Sequence, residues 1–145
     1  MPKVRKEHSN VKFFEIKIKP KYGTTINRIY HVVENGKLVV MEPFQDIDED
    51  LRDRTIDLIR KMATYENYKS DIIKYRLTGY TYGEIRPMPH RFFFFQKCGK
   101  NLIFFSYVLK KTNSFKDSFY KELEKDKERY EKEFEKFIAR NRKNI

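Results

Sequence analysis

The sequence predicts an α+β fold: a small, mainly antiparallel twisted sheet with helices packed on one face, an N-terminal β-hairpin extension and a long C-terminal helix. Three observations carry that expectation. Short β-branched and aromatic runs, punctuated by turn residues, occupy residues 11–40 and 80–111. An amphipathic stretch opened by acidic residues lies between them. A charged segment with aromatic residues at helical spacing closes the chain. At 145 residues this is one domain, with residues 1–45 as the β extension and 46–145 as the core carrying the C-terminal helix.

Each element follows in order. "VKFFEIKI" has strand composition and is closed by Pro20 and Gly23. "INRIYHVVENGKLVVMEP" reads as a hairpin, because Asn35-Gly36 is the dipeptide a type I′ turn favours. "DIDEDLRDRTIDLIRKMATYE" reads as a helix that Asp46 or Asp48 can cap, with Leu51, Leu58, Ile59 and Met62 near one face. "NYKSDIIKYRL" fits a short helix or a strand equally. "TYGEIR" and "HRFFFFQ" read as strands, since Pro87 and Pro89 cannot sit inside a ladder. "NLIFFSYVLKK" is a third strand, beyond a turn at Cys98–Asn101. From Ser114, Phe115, Phe119, Leu123, Tyr130, Phe134 and Phe137 share one helical arc, which predicts core packing with a solvated charged face opposite.

Composition narrows the partners. Thirteen Phe and ten Tyr provide ample apolar surface for a core. The net charge is +11. Lys and Arg outnumber Asp and Glu nine to four in residues 1–45 and nine to three in residues 63–113. Such a field favours a polyanion, nucleic acid before membrane, or an acidic protein. One cysteine, Cys98, excludes an internal disulfide, and His8, His31 and His90 show no metal-ligand spacing. No metal and no cofactor is expected. The start "MPKVRKEHSN" lacks an apolar signal core and no run is long enough to span a bilayer, so a cytoplasmic location is expected.

Strand alternation sorts the 80–111 region into two faces. With opposed positions set by the Cys98–Asn101 turn, Phe95 faces Phe104, Phe93 faces Ser106 and Arg91 faces Val108. A loop at Pro87–His90 sets Arg86 opposite Arg91 and Glu84 opposite Phe93. One face then carries Tyr82, Glu84, Arg86, Arg91, Phe93, Phe95, Ser106 and Lys110. The other carries Ile85, Phe92, Phe94, Ile103, Phe105, Tyr107 and Leu109, an apolar set suited to cover by helices. Three cations around the single carboxylate of Glu84 predict an anion site, because like charges across a strand pair repel unless something negative lies between them. Arginine suits phosphate through its planar fork. Phe93 and Phe95 beside it offer rings on which an RNA base can stack, or they pack in the core.

An ordered set of pieces, Leu77-x-Gly79, "YGEIRP", "HRFFFF", then an apolar strand ending "LKKT" and a charged helix, resembles the RelE/ParE superfamily of bacterial toxins, most closely its HigB-type, phage-derived (Gp-type) branch. Residues 48–138 fit this order. The pattern departs from the branch at Ser106-Tyr107, where a His-Gly pair is common, and in lacking a proline after Lys-Lys-Thr. The resemblance implies a RelE-like sheet with helices on one side and a concave basic face on the other. It implies a metal-independent mRNA endoribonuclease (an mRNA interferase), acting on mRNA, in many members at the ribosome. It also implies a cognate antitoxin, expected to carry an acidic segment and a helix-turn-helix domain. The basic functional positions of the family fall on Arg86, Arg91, Lys110 and Lys111.

In that reading Arg86 and Arg91 stabilise charge on the phosphate, and Lys110 assists electrostatically or accepts a proton. Tyr82 or His90 supplies the other proton-transfer group, and Glu84 orients Arg86. Lys111, Tyr80 and Lys100 are secondary RNA-binding candidates with Phe93 and Phe95. The competing readings are a noncatalytic RNA-binding module, a ParE-like gyrase inhibitor, and a phage accessory protein that lost the chemistry. Residues 1–45 either enlarge the sheet, dock the antitoxin or mediate a dimer.

Overall fold

A computed structural model describes residues 10–20, 23–110 and 116–143, with the side chains of 142 and 143 left aside. Its strands are β1 (Val11–Glu15), β2 (Arg28–Glu34), β3 (Lys37–Leu38), β4 (Ile73–Lys74), β5 (Gly83–Ile85), β6 (His90–Gln96) and β7 (Asn101–Leu109). The helices are α1 (Met41–Gln45), α2 (Glu49–Thr64) and α3 (Asp117–Lys143). The strands form one seven-stranded open sheet in the order β1-β2-β7-β6-β5-β4, with β3 added to β2. All pairs are antiparallel except β2 with β7. The molecule is α+β, and its N-terminal strands enlarge the sheet.

Local chemistry explains the elements. Asn35 and Gly36 both take positive φ, 52° and 81°, as the type I′ turn between β2 and β3 requires. The second arm of this hairpin is short, because the chain turns into α1 at Met41. Asp48 stands at the N-cap position of α2, and Glu49 and Asp50 in its first turn suit the helix dipole. The ambiguous segment after α2 resolves as the two-residue strand β4. Gly83 is required by close approach: a Cβ there would stand 2.2 Å from the Lys74 carbonyl oxygen.

Two apolar clusters lie on opposite faces of the sheet. On one face α1 and α2 bring Phe44, Leu58, Ile59 and Met62 onto Ile85, Phe92, Phe94, Leu102 and Phe104. On the other, Leu123, Tyr130 and Phe134 of α3 cover Phe13, Tyr30, Tyr82, Phe93, Phe95, Ile103 and Phe105. Helices therefore cover both faces, in contrast to the single covered face expected from sequence. The aromatic arc of α3 packs as predicted from Phe119 onward, while Phe115 lies outside the described residues.

A β-bulge accounts for part of that difference. Arg91↔Val108 and Phe93↔Ser106 pair as the sequence predicts, but the register then shifts, giving Phe94↔Phe104 and Phe95↔Ile103. The expected Phe95–Phe104 pair is thereby replaced. Phe105 is the extra residue, and Ile103 and Phe105 move to the face of Phe93 and Phe95. The β2–β7 pairing stops at His31↔Phe104, beside the bulge, and β3 takes over the edge of β2 from Val33. No described helix is long and apolar enough to cross a membrane.

Candidate functional site

The residues singled out from the sequence divide between one corner of the sheet and several other places. Glu84 on β5, Arg91 at the start of β6 and Lys110 just beyond β7 meet where these strands end. The Lys110 amide donates to the Pro89 carbonyl at 2.9 Å, which holds it beside Arg91. Arg91 and Glu84 are 6% and 4% exposed and form an ion pair, with Arg91 Nη1 donating to Glu84 Oε1 at 3.1 Å. Arg91 Nε is buried and has no hydrogen-bond partner among the described residues. A buried guanidinium with one unanswered donor is an incomplete arrangement, because each such donor is costly to leave unmade.

Lys110 feels both its burial and the charges around it. Desolvation pushes its ammonium pKa down, the Arg91 and Arg86 charges lower it further, and Glu84 opposes them. The direct Arg86–Arg91 opposition is not formed, because the β5–β6 ladder ends at Ile85↔Phe92. Arg86 instead leans towards the β4 edge, where its Nη2 donates to the Asp71 carbonyl at 2.9 Å. It still lies close enough to influence Lys110.

The two proposed partners in proton transfer are engaged elsewhere. Tyr82 is fully buried, and its hydroxyl donates to the Tyr120 carbonyl at 3.0 Å. Burial raises its phenol pKa strongly, with Tyr80 and Glu124 adding to the effect. His90 sits on the opposite side of its strand from Arg91 by alternation. Its Nδ1 is 2.6 Å from the Tyr107 hydroxyl, the two rings stack, and desolvation lowers its pKa.

Phe93 and Phe95 are 0% and 1% exposed beneath α3 and offer no ring face to a base. Phe93 packs on Phe119 and Tyr82, and the Lys127 ammonium lies 5.8 Å from the centre of the Phe95 ring. Their role is core packing. Lys100 stands at the far end of the β6–β7 hairpin, about 20 Å away by strand rise, and pairs with Glu66 at 3.7 Å. Lys111 lies outside the described residues.

Tyr80 does belong near the corner, through a residue that sequence reasoning missed. Its ring stacks on that of Tyr120 at 5.6 Å, in the first turn of α3. Glu124 accepts from the Thr81 amide at 2.9 Å and from the Thr81 hydroxyl, so the start of α3 is clamped to residues 80–82. The Tyr120 phenol pKa is raised by desolvation first and by Glu84 second, while Arg91 lowers it, so its hydroxyl lies within the field of the buried pair. Tyr120 falls just off the apolar arc of its helix, and that displacement was the one available signal.

Among the described residues no group of three or more His, Cys, Asp or Glu side chains could hold a metal. The chain matches no family model, no curated protein and no solved structure.

Proposed function

We propose that this chain is an RNA-directed toxin of the RelE/HigB type, a metal-independent mRNA endoribonuclease held in check by a cognate antitoxin with an acidic segment. The observation that carries the reading is the sheet corner where Lys110 and Arg86 lie within electrostatic reach of the buried Glu84–Arg91 pair, whose Arg91 Nε has no hydrogen-bond partner among the described residues. A phosphodiester at the margin of this corner offers negative charge and acceptor atoms that arginine and lysine side chains bind. In cleavage, the 2′-oxygen attacks phosphorus and the bond to the 5′-oxygen breaks. Lys110 in its neutral form, which desolvation and the arginine charges make easier to reach, accepts the 2′-hydroxyl proton; water protonates the 5′-oxygen, and the hydroxide so formed recovers the proton from Lys110. Arg86 and Arg91 stabilise the charge that develops on the phosphate.

One observation favours a second reading, a noncatalytic RNA-binding module. Tyr82 and His90, the groups expected to move the other proton, are committed to Tyr120 and Tyr107.

The test is expression of the chain with its Arg86→Ala and Lys110→Ala variants, mapping 5′ ends of cellular transcripts and measuring RNA affinity against salt. Glu84→Gln/Arg91→Met removes the buried pair without leaving a lone charge. New 5′ ends that vanish in folded Lys110→Ala support the enzyme. Steeply salt-dependent binding without cuts supports the module. Folded variants that bind and cut as well as the parent remove the corner from both readings.

A further inference from the structure

The face of the sheet opposite the basic corner contains a cavity of about 430 Å3, within the range that small-molecule ligands occupy. Residues 16–19, immediately after β1, cross it as a strap. The strap is held at both ends: the Ile16 amide donates to the Ile29 carbonyl at 2.7 Å, and Arg60 Nε donates to the Lys19 carbonyl at 3.1 Å. Ile16 and Ile18 on the strap line the cavity together with Ile56 and Ile59 on α2 and the rings of Phe44 and Phe92. Phe44 and Phe92 are themselves buried in the core, so the floor is fixed by packing that needs no ligand.

The charged residues on the lining all have one sign. They are Lys17, Lys19 and Arg60, and among the described residues no carboxylate lines the cavity. Neighbouring acids neutralise them incompletely. Glu15 lies 3.0 Å from Lys17, an exposed pair of small energetic weight. Asp57, 3.6 Å from Arg60, is shared with Lys61 at 3.2 Å. An apolar interior with cations at its edge matches a molecule built the same way with opposite charge.

From this we infer that the cavity is a binding site for a single-chain amphiphile with an anionic head, a medium-chain carboxylate. The alkyl chain lies among the isoleucines, and the head sits among Lys17, Lys19 and Arg60. A cationic amphiphile of equal length meets three like charges, and a neutral alcohol lacks the attraction of the head. The site is independent of the basic corner, whose residues lie across the sheet.

The experiment titrates the whole chain, labelled at isoleucine methyl groups, with dissolved decanoate below its micelle concentration. Saturable binding should shift the methyls of Ile16, Ile18, Ile56 and Ile59 and leave Ile103, on the α3 face, unmoved. Each added methylene should tighten binding about fourfold. Decyltrimethylammonium should bind about tenfold more weakly, as should decanoate to Lys17→Glu/Lys19→Glu, which alters two exposed side chains and should leave the melting temperature unchanged. Four outcomes would each overturn the inference. These are absence of saturable shifts, shifts centred on Ile103, equal binding of the cationic amphiphile, or binding to phosphatidylglycerol vesicles without binding of dissolved decanoate.

Discussion

The two faces of the sheet use nearly the same apolar residue types and do opposite things with charge. On the α1–α2 side the charged groups stand at the margin, where Lys17, Lys19 and Arg60 rim the apolar cavity, and the buried polar groups, Asn27, Thr55 and Thr64, are neutral. On the α3 side charged groups are drawn inward. Glu84 and Arg91 are buried beside Tyr82, and Glu34 holds α3 through Arg129, by two hydrogen bonds at 2.7 and 3.1 Å, and through the Tyr130 hydroxyl at 2.6 Å. A polar group at a margin chooses ligands at little expense to the fold. A buried one positions a helix and becomes a liability when its partner is removed.

The sharpest way to break this comparison is to empty each face in turn. Phe92→Ala and Phe93→Ala should each lose about 4 kcal/mol in urea unfolding. A loss below about 1 kcal/mol at Phe93 alone would mean that α3 does not cover its face in solution. Next in size, Glu84→Gln strands the Arg91 guanidinium and should destabilise by about 3 kcal/mol. The double variant Glu84→Gln/Arg91→Met should recover most of that loss. Recovery would mark the pair as a device for function or specificity.

Tyr130→Phe removes one charge-assisted hydrogen bond to Glu34 and should lose about 2 kcal/mol. Hydrogen exchange should then quicken along α3 and remain unchanged along α2. The smallest effect is in acid. His31 and His90 both have pKa values lowered by desolvation, and alternation sets both on the α1–α2 side. The unfolded chain takes up their protons first as pH falls through the ordinary imidazole value near 6.5. Their contribution is complete above that value and is lost as pH falls below it. Stability against pH should flatten in His31→Phe/His90→Phe, and an unchanged acid limb would exclude both histidines.

Patterns dictated by nearest neighbours were legible in the sequence. The Asn35-Gly36 turn, the acid-led start of α2, the proline-bounded loop and the apolar arc of α3 all depend on residues a few positions apart. The pairs Arg91↔Val108 and Glu84↔Phe93 followed from the positions of the Cys98–Asn101 turn and the Pro87–His90 loop. Facing was not legible where one residue changed the count. The bulge at Phe105 carries no glycine or proline to announce it, and "LIFF" is apolar on both sides, so either register buries comparable surface. The covering of Phe93 and Phe95 was hidden for the same reason, since a strand flanked by two helices and one with an aromatic open face read alike. The buried state of Glu84 and Arg91 depends on α3, which begins far along the chain from both.

The parallel pairing of β2 with β7 has a consequence in time. The β6–β7 hairpin and the β2–β3 hairpin each close over a handful of residues, whereas joining Arg28–His31 to Asn101–Phe104 spans nearly half of the chain. Loop-closure entropy makes that contact late and slow, and Phe134 of α3 completes its packing against Tyr30 only once β2 is in place. A nascent chain would therefore display the Phe93 face, with its arginine and glutamate, until α3 has been synthesised and has settled.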